Sequence, residues 1–203
     1  MSGGGRGFHV DLSGCIGCKA CQVACKDKHG HEPGIRWRRV VEVSGGGWVE
    51  RDGHWRDESY AYFMSVACCH CARPICVEVC PTKAMAKQDD GIVAVDPARC
   101  MGCRYCEWAC PYGAPQFDPA SGVMTKCDLC RDHLEYARFP ACVEACPTRV
   151  LDLVVLPDGG EGKNEVYPLP PADLTRPNTA LTPHRDVRRT AEADPSIGNR
   201  EEI

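Results

Sequence analysis

Sixteen of the 17 cysteines in this chain fall into four tight quartets, and no other feature narrows the possible folds so far. They read Cys15-x2-Cys18-x2-Cys21-x3-Cys25, Cys68-x2-Cys71-x4-Cys76-x3-Cys80, Cys100-x2-Cys103-x2-Cys106-x3-Cys110 and Cys127-x2-Cys130-x11-Cys142-x3-Cys146. A proline follows the last cysteine of the second, third and fourth quartets (Pro81, Pro111 and Pro147). Short spacings gather three thiolates of one loop around one centre, while the fourth, a helical turn further on, points toward a second centre. Such a run is a ligand set for a [4Fe-4S] cubane, so four runs predict four clusters. A disulfide scaffold would be smaller, would lack the CxxC regularity and would need an oxidising compartment. Structural zinc takes two thiolates per loop, which leaves a third cysteine at x2 spacing without a role. Iron–sulfur chemistry uses every quartet.

Length and charge bound the rest. A chain of 203 residues makes one large domain or two small ones, and only 43% of it is apolar with cysteine included. With the thiols committed to metal the remaining core is modest, so cluster assembly supplies much of the folding free energy. The formal charge is −4 before metal binding, and four cubanes at about −2 each take it to about −12. That charge argues against nucleic acid as a partner, and the run Arg36-Trp37-Arg38-Arg39 is expected to face a partner protein or solvent. No apolar stretch is long enough for direct bilayer insertion. The opening residues show no twin arginine and no apolar core of a signal peptide. Export in complex with a signal-bearing partner stays open, so the side of the membrane is not fixed.

The spacing predicts an α+β fold of two nested bacterial-ferredoxin-like units. Residues 60–118 carry the second and third quartets and form the inner unit. Helices are expected around Cys76–Cys80 and Cys106–Cys110, each stopped by the next proline, and Ile92-Val93-Ala94-Val95 is a strand feeding the third quartet. The flanking quartets repeat the design in split form. Val10-Asp11-Leu12-Ser13-Gly14-Cys15 mirrors Val95-Asp96-Pro97-Ala98-Arg99-Cys100, and Cys146-Pro147-Thr148-Arg149 mirrors Cys80-Pro81-Thr82-Lys83. Residues 1–34 and 119–156 therefore form an outer unit, with Leu151–Val155 returning to pair with Phe8–Leu12. Tandem pairing of first with second and third with fourth is the rival. Crossing the last cysteine within nested pairs gives four sites: Cys15, Cys18, Cys21 with Cys146; Cys127, Cys130, Cys142 with Cys25; Cys68, Cys71, Cys76 with Cys110; and Cys100, Cys103, Cys106 with Cys80. Residues 35–59 are a hairpin insertion, with Val40–Val43 and Trp48–Glu50 joined through Gly45-Gly46-Gly47. Residues 157–203, with seven prolines in 47 positions, form an extended tail expected to lie along a partner.

The stretches Cys-Ile-Gly-Cys-Lys-Ala-Cys-Gln-Val-Ala-Cys-Lys-Asp (15–27), Met-Gly-Cys-Arg-Tyr-Cys-Glu-Trp-Ala-Cys-Pro-Tyr-Gly-Ala-Pro-Gln (101–116) and Met-Thr-Lys-Cys-Asp-Leu-Cys (124–130) resemble the iron–sulfur subunit of the dimethyl sulfoxide reductase type of molybdoenzyme. The likeness runs over essentially the whole chain, including Leu169-Pro170-Pro171, Arg176-Pro177-Asn178 and Pro183-His184-Arg185 of the tail. The resemblance implies a non-catalytic electron-transfer subunit. It implies two partners, a molybdopterin-containing catalytic subunit and an integral-membrane anchor that exchanges electrons with quinol. It also implies an order of clusters, with that of Cys15 nearest molybdenum, then those of Cys127 and Cys68, and that of Cys100 nearest the quinol. Some relatives carry Trp in place of the second cysteine of the third quartet and hold a [3Fe-4S] cluster there. This chain keeps Cys103, which implies a fourth cubane. The substrate belongs to the catalytic partner.

Cys69 is read as a packed thiol, because Cys68 gives the x2 spacing to Cys71. His70 is either a donor to a cluster sulfur or a surface histidine. Arg104 is either a charge that tunes a cluster or a solvated loop charge, and Lys19 is read as the latter. Gly17 and Gly102 are expected to let backbone N–H groups approach cluster sulfides. Gly162-Lys163-Asn164 is not a phosphate loop, and no nucleophile–base pair or dinucleotide fingerprint is present. Two other functions are carried beside the leading one. One is a free-standing polyferredoxin, against which the tail and insertion argue. The other is a zinc-dependent interaction module, which colour and metal content would reveal.

Overall fold

The computed structural model describes residues 5–157, 166–187 and 194–202. Strand β1 (Gly5–Asp11) leads through a tight turn to helix α1 (Ala20–His29). Strands β2 (Arg39–Gly45), β3 (Trp48–Arg51), β4 (His54–Asp57) and β5 (Tyr60–Val66) precede the second quartet. Helix α2 (Ile75–Glu78), strands β6 (Met85–Lys87) and β7 (Val93–Val95) and helix α3 (Tyr105–Ala109) carry the second and third quartets. Strands β8 (Gln116–Asp118) and β9 (Val123–Thr125) lead to helices α4 (Arg131–Glu135) and α5 (Ala141–Glu144) of the fourth. Strands β10 (Leu151–Leu156), β11 (Thr179–Thr182) and β12 (Ser196–Ile197) follow.

Two frameworks of one design are visible in these elements. In the first, β1 pairs antiparallel with β10, placing Phe8 opposite Leu153, so segments flanking the first and fourth quartets meet. In the second, β7 pairs antiparallel with β6, placing Val95 opposite Met85. Each strand feeds a loop of two cysteines and then a helix carrying the third. The helices α2 and α5 also match. Each is four residues long, starts at a proline that sacrifices no helical hydrogen bond (Pro74, Pro140), and stops short of the next proline (Pro81, Pro147). Such helices are too short to be stable alone and are held by what they pack on.

One apolar cluster links the frameworks. Phe8, Val10, Leu12, Val40, Val43, Tyr62, Met64 and Ile92 are buried in it beside the thiols of Cys21, Cys68, Cys127, Cys142 and Cys146. Each full-size aliphatic residue buried here contributes about 1.5–3 kcal/mol. The cysteine loops are thereby seated on the core rather than hung from it.

Three expectations are corrected. The glycine run does not close a hairpin between Val40–Val43 and Trp48–Glu50. Instead β2 pairs with β5, placing Val41 opposite Met64, and the hairpin of this region is β3–β4. Its turn is Asp52-Gly53, both at positive φ (53° and 75°), the geometry a two-residue hairpin turn needs to match strand twist. The tail, expected along a partner, packs on its own chain over its described residues. There β11 runs parallel to β1 and β12 joins β2, with Ala172, Thr175, Asn178 and Leu181 buried. The arginine run is likewise not a surface feature, since Arg38 and Arg39 are buried. The Gly162-Lys163-Asn164 segment lies outside the described residues. No helix among the described residues is long and apolar enough to cross a membrane.

Candidate metal centres

All 17 cysteines are free thiols, as a set of metal ligands must be and a disulfide scaffold is not. Two groups of four line small cavities. Cys15, Cys18, Cys21 and Cys146 surround one, together with Ser65 and Thr148. Cys80, Cys100, Cys103 and Cys106 surround another, with Met85, Val95 and Met124. In each, three thiols come from one quartet and the fourth is the last cysteine of a different quartet.

Of the other eight quartet cysteines, six are buried and two, Cys71 and Cys110, are half-buried. The Cys76 thiol is pushed up by burial and then by the thiols of Cys68 and Cys110, while Lys126 opposes. Burial lifts Cys71 to about 12, opposed by the Thr175 hydroxyl, with Cys68 and Cys110 again beside it. Burial lifts Cys25 to about 12, opposed by Arg38, with Cys142 and Cys130 adding to the rise. Cys127 rises through burial and then through Cys68 and Cys25, while the Lys126 ammonium opposes. Cys127 thus has Cys25 and Cys142 on one side of the charge balance and Cys68 beside them. Raised thiols keep their protons until a metal displaces them, so metal binding here releases protons.

The last cysteines of the second and fourth quartets have matching surroundings that favour thiolate. Burial raises Cys80, but the amides of Met85, Ala84 and Thr82 and the Thr82 hydroxyl bring it below the ordinary value. Burial raises Cys146 too, and the Thr148 hydroxyl with the amides of Val150, Leu151 and Thr148 reverses it. Each threonine hydroxyl stands 3.7 Å from its sulfur. The Met85 and Met124 amides donate to Cys80 and Cys100 Sγ, each at 3.4 Å. Amide and hydroxyl donors aimed at sulfur suit iron–sulfur ligation, where they tune the potential.

The loop glycines have a second reason for being there. Gly17 and Gly102 have φ of +68° and +69°, and a Cβ would lie 2.5 Å from the Phe63 ring and 2.3 Å from the Gly122 carbonyl. The Gly17 amide also faces the Cys15 sulfur. Arg104 pairs with Glu107 at 2.6 Å on the exposed side of α3, the solvated alternative. His70 is fully buried, not on the surface, and its Nδ1 accepts the Val93 N–H at 3.1 Å. Burial and then Lys126 push its pKa well down, so it is neutral with the proton on Nε2. The Cys69 thiol donates weakly to the Ala67 carbonyl at 3.7 Å and lines an apolar cavity of about 120 Å³ with Phe8, Val10 and Leu181.

Sequence reasoning missed several participants. Arg38 Nη1 donates to Ser65 Oγ at 3.0 Å, and that oxygen lies 3.4 Å from Cys21 Sγ. Lys126, buried, donates to the carbonyls of Val93 and Cys127. His29 Nε2 stands 3.5 Å from Cys130 Sγ and 4.0 Å from Asp128. The signal available was the charge itself, since dianionic centres inside a protein call for buried cations. The Arg38 Nη2 atom, buried without a hydrogen-bond partner among the described residues, is a donor of the kind a sulfur-rich cluster takes up. The donor set therefore fits iron–sulfur clusters.

A ferredoxin-like arrangement of mixed α/β elements with thiols gathered at loop–helix junctions defines an iron–sulfur electron-transfer protein. The family model for a 4Fe-4S dicluster domain matches residues 59–156. The sequence is 43% identical to the B subunit of the anaerobic dimethyl sulfoxide reductase of Escherichia coli (strain K12) over 200 residues, covering 97% of this protein and 98% of that one. It is 42% identical to the corresponding B subunit of Haemophilus influenzae over 203 residues, with coverage of 97% and 98%. Protein NrfC of Escherichia coli is 39% identical over 154 residues, covering 75% of this protein and 66% of NrfC. The protein belongs to the family of dimethyl sulfoxide reductase iron–sulfur subunits. The zinc module and the free-standing carrier find no support in these relationships.

Proposed function

We propose that the protein carries four [4Fe-4S] clusters on nested ligand sets and relays electrons between a quinol-linked membrane anchor and a molybdopterin catalytic subunit, with no catalysis of its own. When bound, each cubane supplies a site that gains and gives up one electron. The observation that carries the reading is the mixed lining of the two cavities, in which Cys146 joins the first quartet's thiols and Cys80 joins the third's. Crossing of the last cysteine is the mark of paired cluster runs. The β1–β10 and β6–β7 pairings support residues 1–34 with 119–156 as one unit and 60–118 as the other.

The same arrangement supports a single line of sites. Cys21 has Cys142 as an electrostatic neighbour, and Cys127 has Cys68, which joins the first set to the second and the second to the third. The third and fourth sets share the second and third quartets. Apolar side chains around these thiols exclude water, and amide, hydroxyl and guanidinium donors fix their orientation. Membrane association comes through the anchor.

Purification of the native complex with metal analysis tests the proposal. The expected result is co-purification with a molybdenum-containing subunit and an integral-membrane subunit, and about 16 iron per copy of this protein. A soluble, partner-free protein with full iron would overturn the subunit role, and about eight iron would overturn the four-cluster assignment.

A further inference from the structure

Arg38 precedes β2 and is 2% exposed, the largest side chain among the fully buried ones. Its guanidinium carbon lies 4.2 Å above the Phe8 ring, and Nη1 is committed to Ser65. The sulfurs that act on it are those of Cys142, Cys21, Cys127 and Cys25, thiols of both proposed ligand sets of the first and fourth quartets. Burial opposes its charge, and these sulfurs, ionised once they ligate metal, favour it. A desolvated guanidinium persists only where negative charge answers it. Here the thiolates of the proposed centres would supply that charge.

We propose that Arg38 is a positioning residue, a fixed cation shared by the two clusters of the first and fourth quartets that raises the reduction potential of both. The inference rests on the nested ligand sets proposed above. It has two arms. Nη2 is the donor left for a cluster sulfur, and Nη1 acts through Ser65, whose hydroxyl stands at the Cys21 sulfur. One-electron reduction adds one negative charge to a centre. A nearby cation in a poorly screening interior favours the reduced state, and the guanidinium neither gains nor loses a proton as the electron arrives. Removing the cation therefore lowers the potential. The clusters of the second and third quartets, whose thiols are not among the strongest influences on Arg38, are expected to keep theirs.

The test is a redox titration of the native complex followed by electron paramagnetic resonance, with iron counted in every sample. Arg38→Gln, Arg38→Lys and Ser65→Ala are compared with the unsubstituted protein. Arg38→Gln is expected to lower the reduced-to-oxidised ratio of the two outer clusters about tenfold at fixed ambient potential, a shift of about 59 mV for one electron. Arg38→Lys is expected to recover at least half of that shift. Ser65→Ala is expected to move only the cluster held by Cys21. Unmoved midpoints in Arg38→Gln with full iron, or equal shifts in all four clusters, overturn the proposal. If Arg38→Gln fails to hold iron, Ser65→Ala decides, and an unmoved Cys21 cluster overturns it. Failure of the underlying reading looks different, because the unsubstituted protein would then hold fewer than four clusters.

Discussion

Asn178 of the C-terminal segment donates its side-chain N–H to the His70 carbonyl at 2.7 Å, and its backbone N–H to the Cys69 carbonyl at 3.0 Å. Two residues of the second quartet's loop are thus held by one residue more than a hundred positions later. The clamp extends further, since the Ala72 and Arg73 amides donate to the carbonyls of Arg176 and Thr175. His70 sits at φ 43°, a left-handed conformation uncommon for non-glycine residues that this clamp and the Val93 amide hold in place. The tail is part of the scaffold of the Cys68–Cys71 loop.

Asn178→Ala leaves the buried His70 carbonyl without that donor. A loss of about 2 kcal/mol is expected, within the range for an unsatisfied buried group. For a protein of this size that corresponds to about 4–8 °C in melting temperature. Thermal unfolding of the loaded protein measures it. A melting temperature unchanged to within a degree would show that the clamp contributes nothing.

What could be read in the sequence and what could not divide along physical lines. The quartets were legible because metal ligation dictates spacing, and the β1–β10 pairing because the motifs flanking the first and fourth quartets repeat those of the second and third. The partner of β2 was not legible. Val40, Val41 and Val43 suit any buried strand, and Gly45-Gly46-Gly47 looked like a turn, while the better hairpin signal was Asp52-Gly53. The tail misled because prolines without large apolar groups suggest an unpacked arm. Its fixing residues, Thr175 and Asn178, are polar and become informative only once their partners are known. In the run Arg36-Trp37-Arg38-Arg39 nothing marks the buried members, since burial of a cation is decided by the thiolates that surround it.

Cys69→Ala is expected to leave iron at about 16 and acid-labile sulfide at about 16 per copy, the content of four cubanes. The thiol is buried, its pKa is raised well up by burial and then by Cys71, and its neighbours are the Ala67 carbonyl and the Thr179 hydroxyl. Loss of about four iron in the variant would make Cys69 a ligand and displace Cys68.

Removal of iron is expected to unfold much of the protein. The main apolar cluster counts Cys21, Cys68, Cys127, Cys142 and Cys146 among its members, and the smaller one counts Cys76 and Cys106. Stripping metal from these sites leaves thiols facing one another where bonds had tied four loops together. Circular dichroism after chelation under reducing conditions should show loss of near-ultraviolet signal and of a cooperative thermal transition. A stripped protein that still melts cooperatively would place the folding free energy in the strands instead.

Substitutions at the last cysteines separate nested from tandem pairing. Cys103→Trp or Cys103→Ser is expected to convert one cubane to a [3Fe-4S] cluster, because Cys100, Cys106 and Cys80 still offer three thiolates around that cavity. A new oxidised-state electron paramagnetic resonance signal should appear, and its higher potential should impede electron flow from quinol while three clusters persist. Cys80→Ser should perturb this same cluster. Cys25→Ser should instead perturb the cluster of Cys127, Cys130 and Cys142, two of which, Cys142 and Cys130, are its electrostatic neighbours. If Cys25→Ser altered the cluster of Cys68, Cys71 and Cys76, the first and second quartets would be partners. The line of sites from Cys15 to Cys100 would then have to be redrawn, because the step from Cys21 to Cys142 would no longer join sites of one unit.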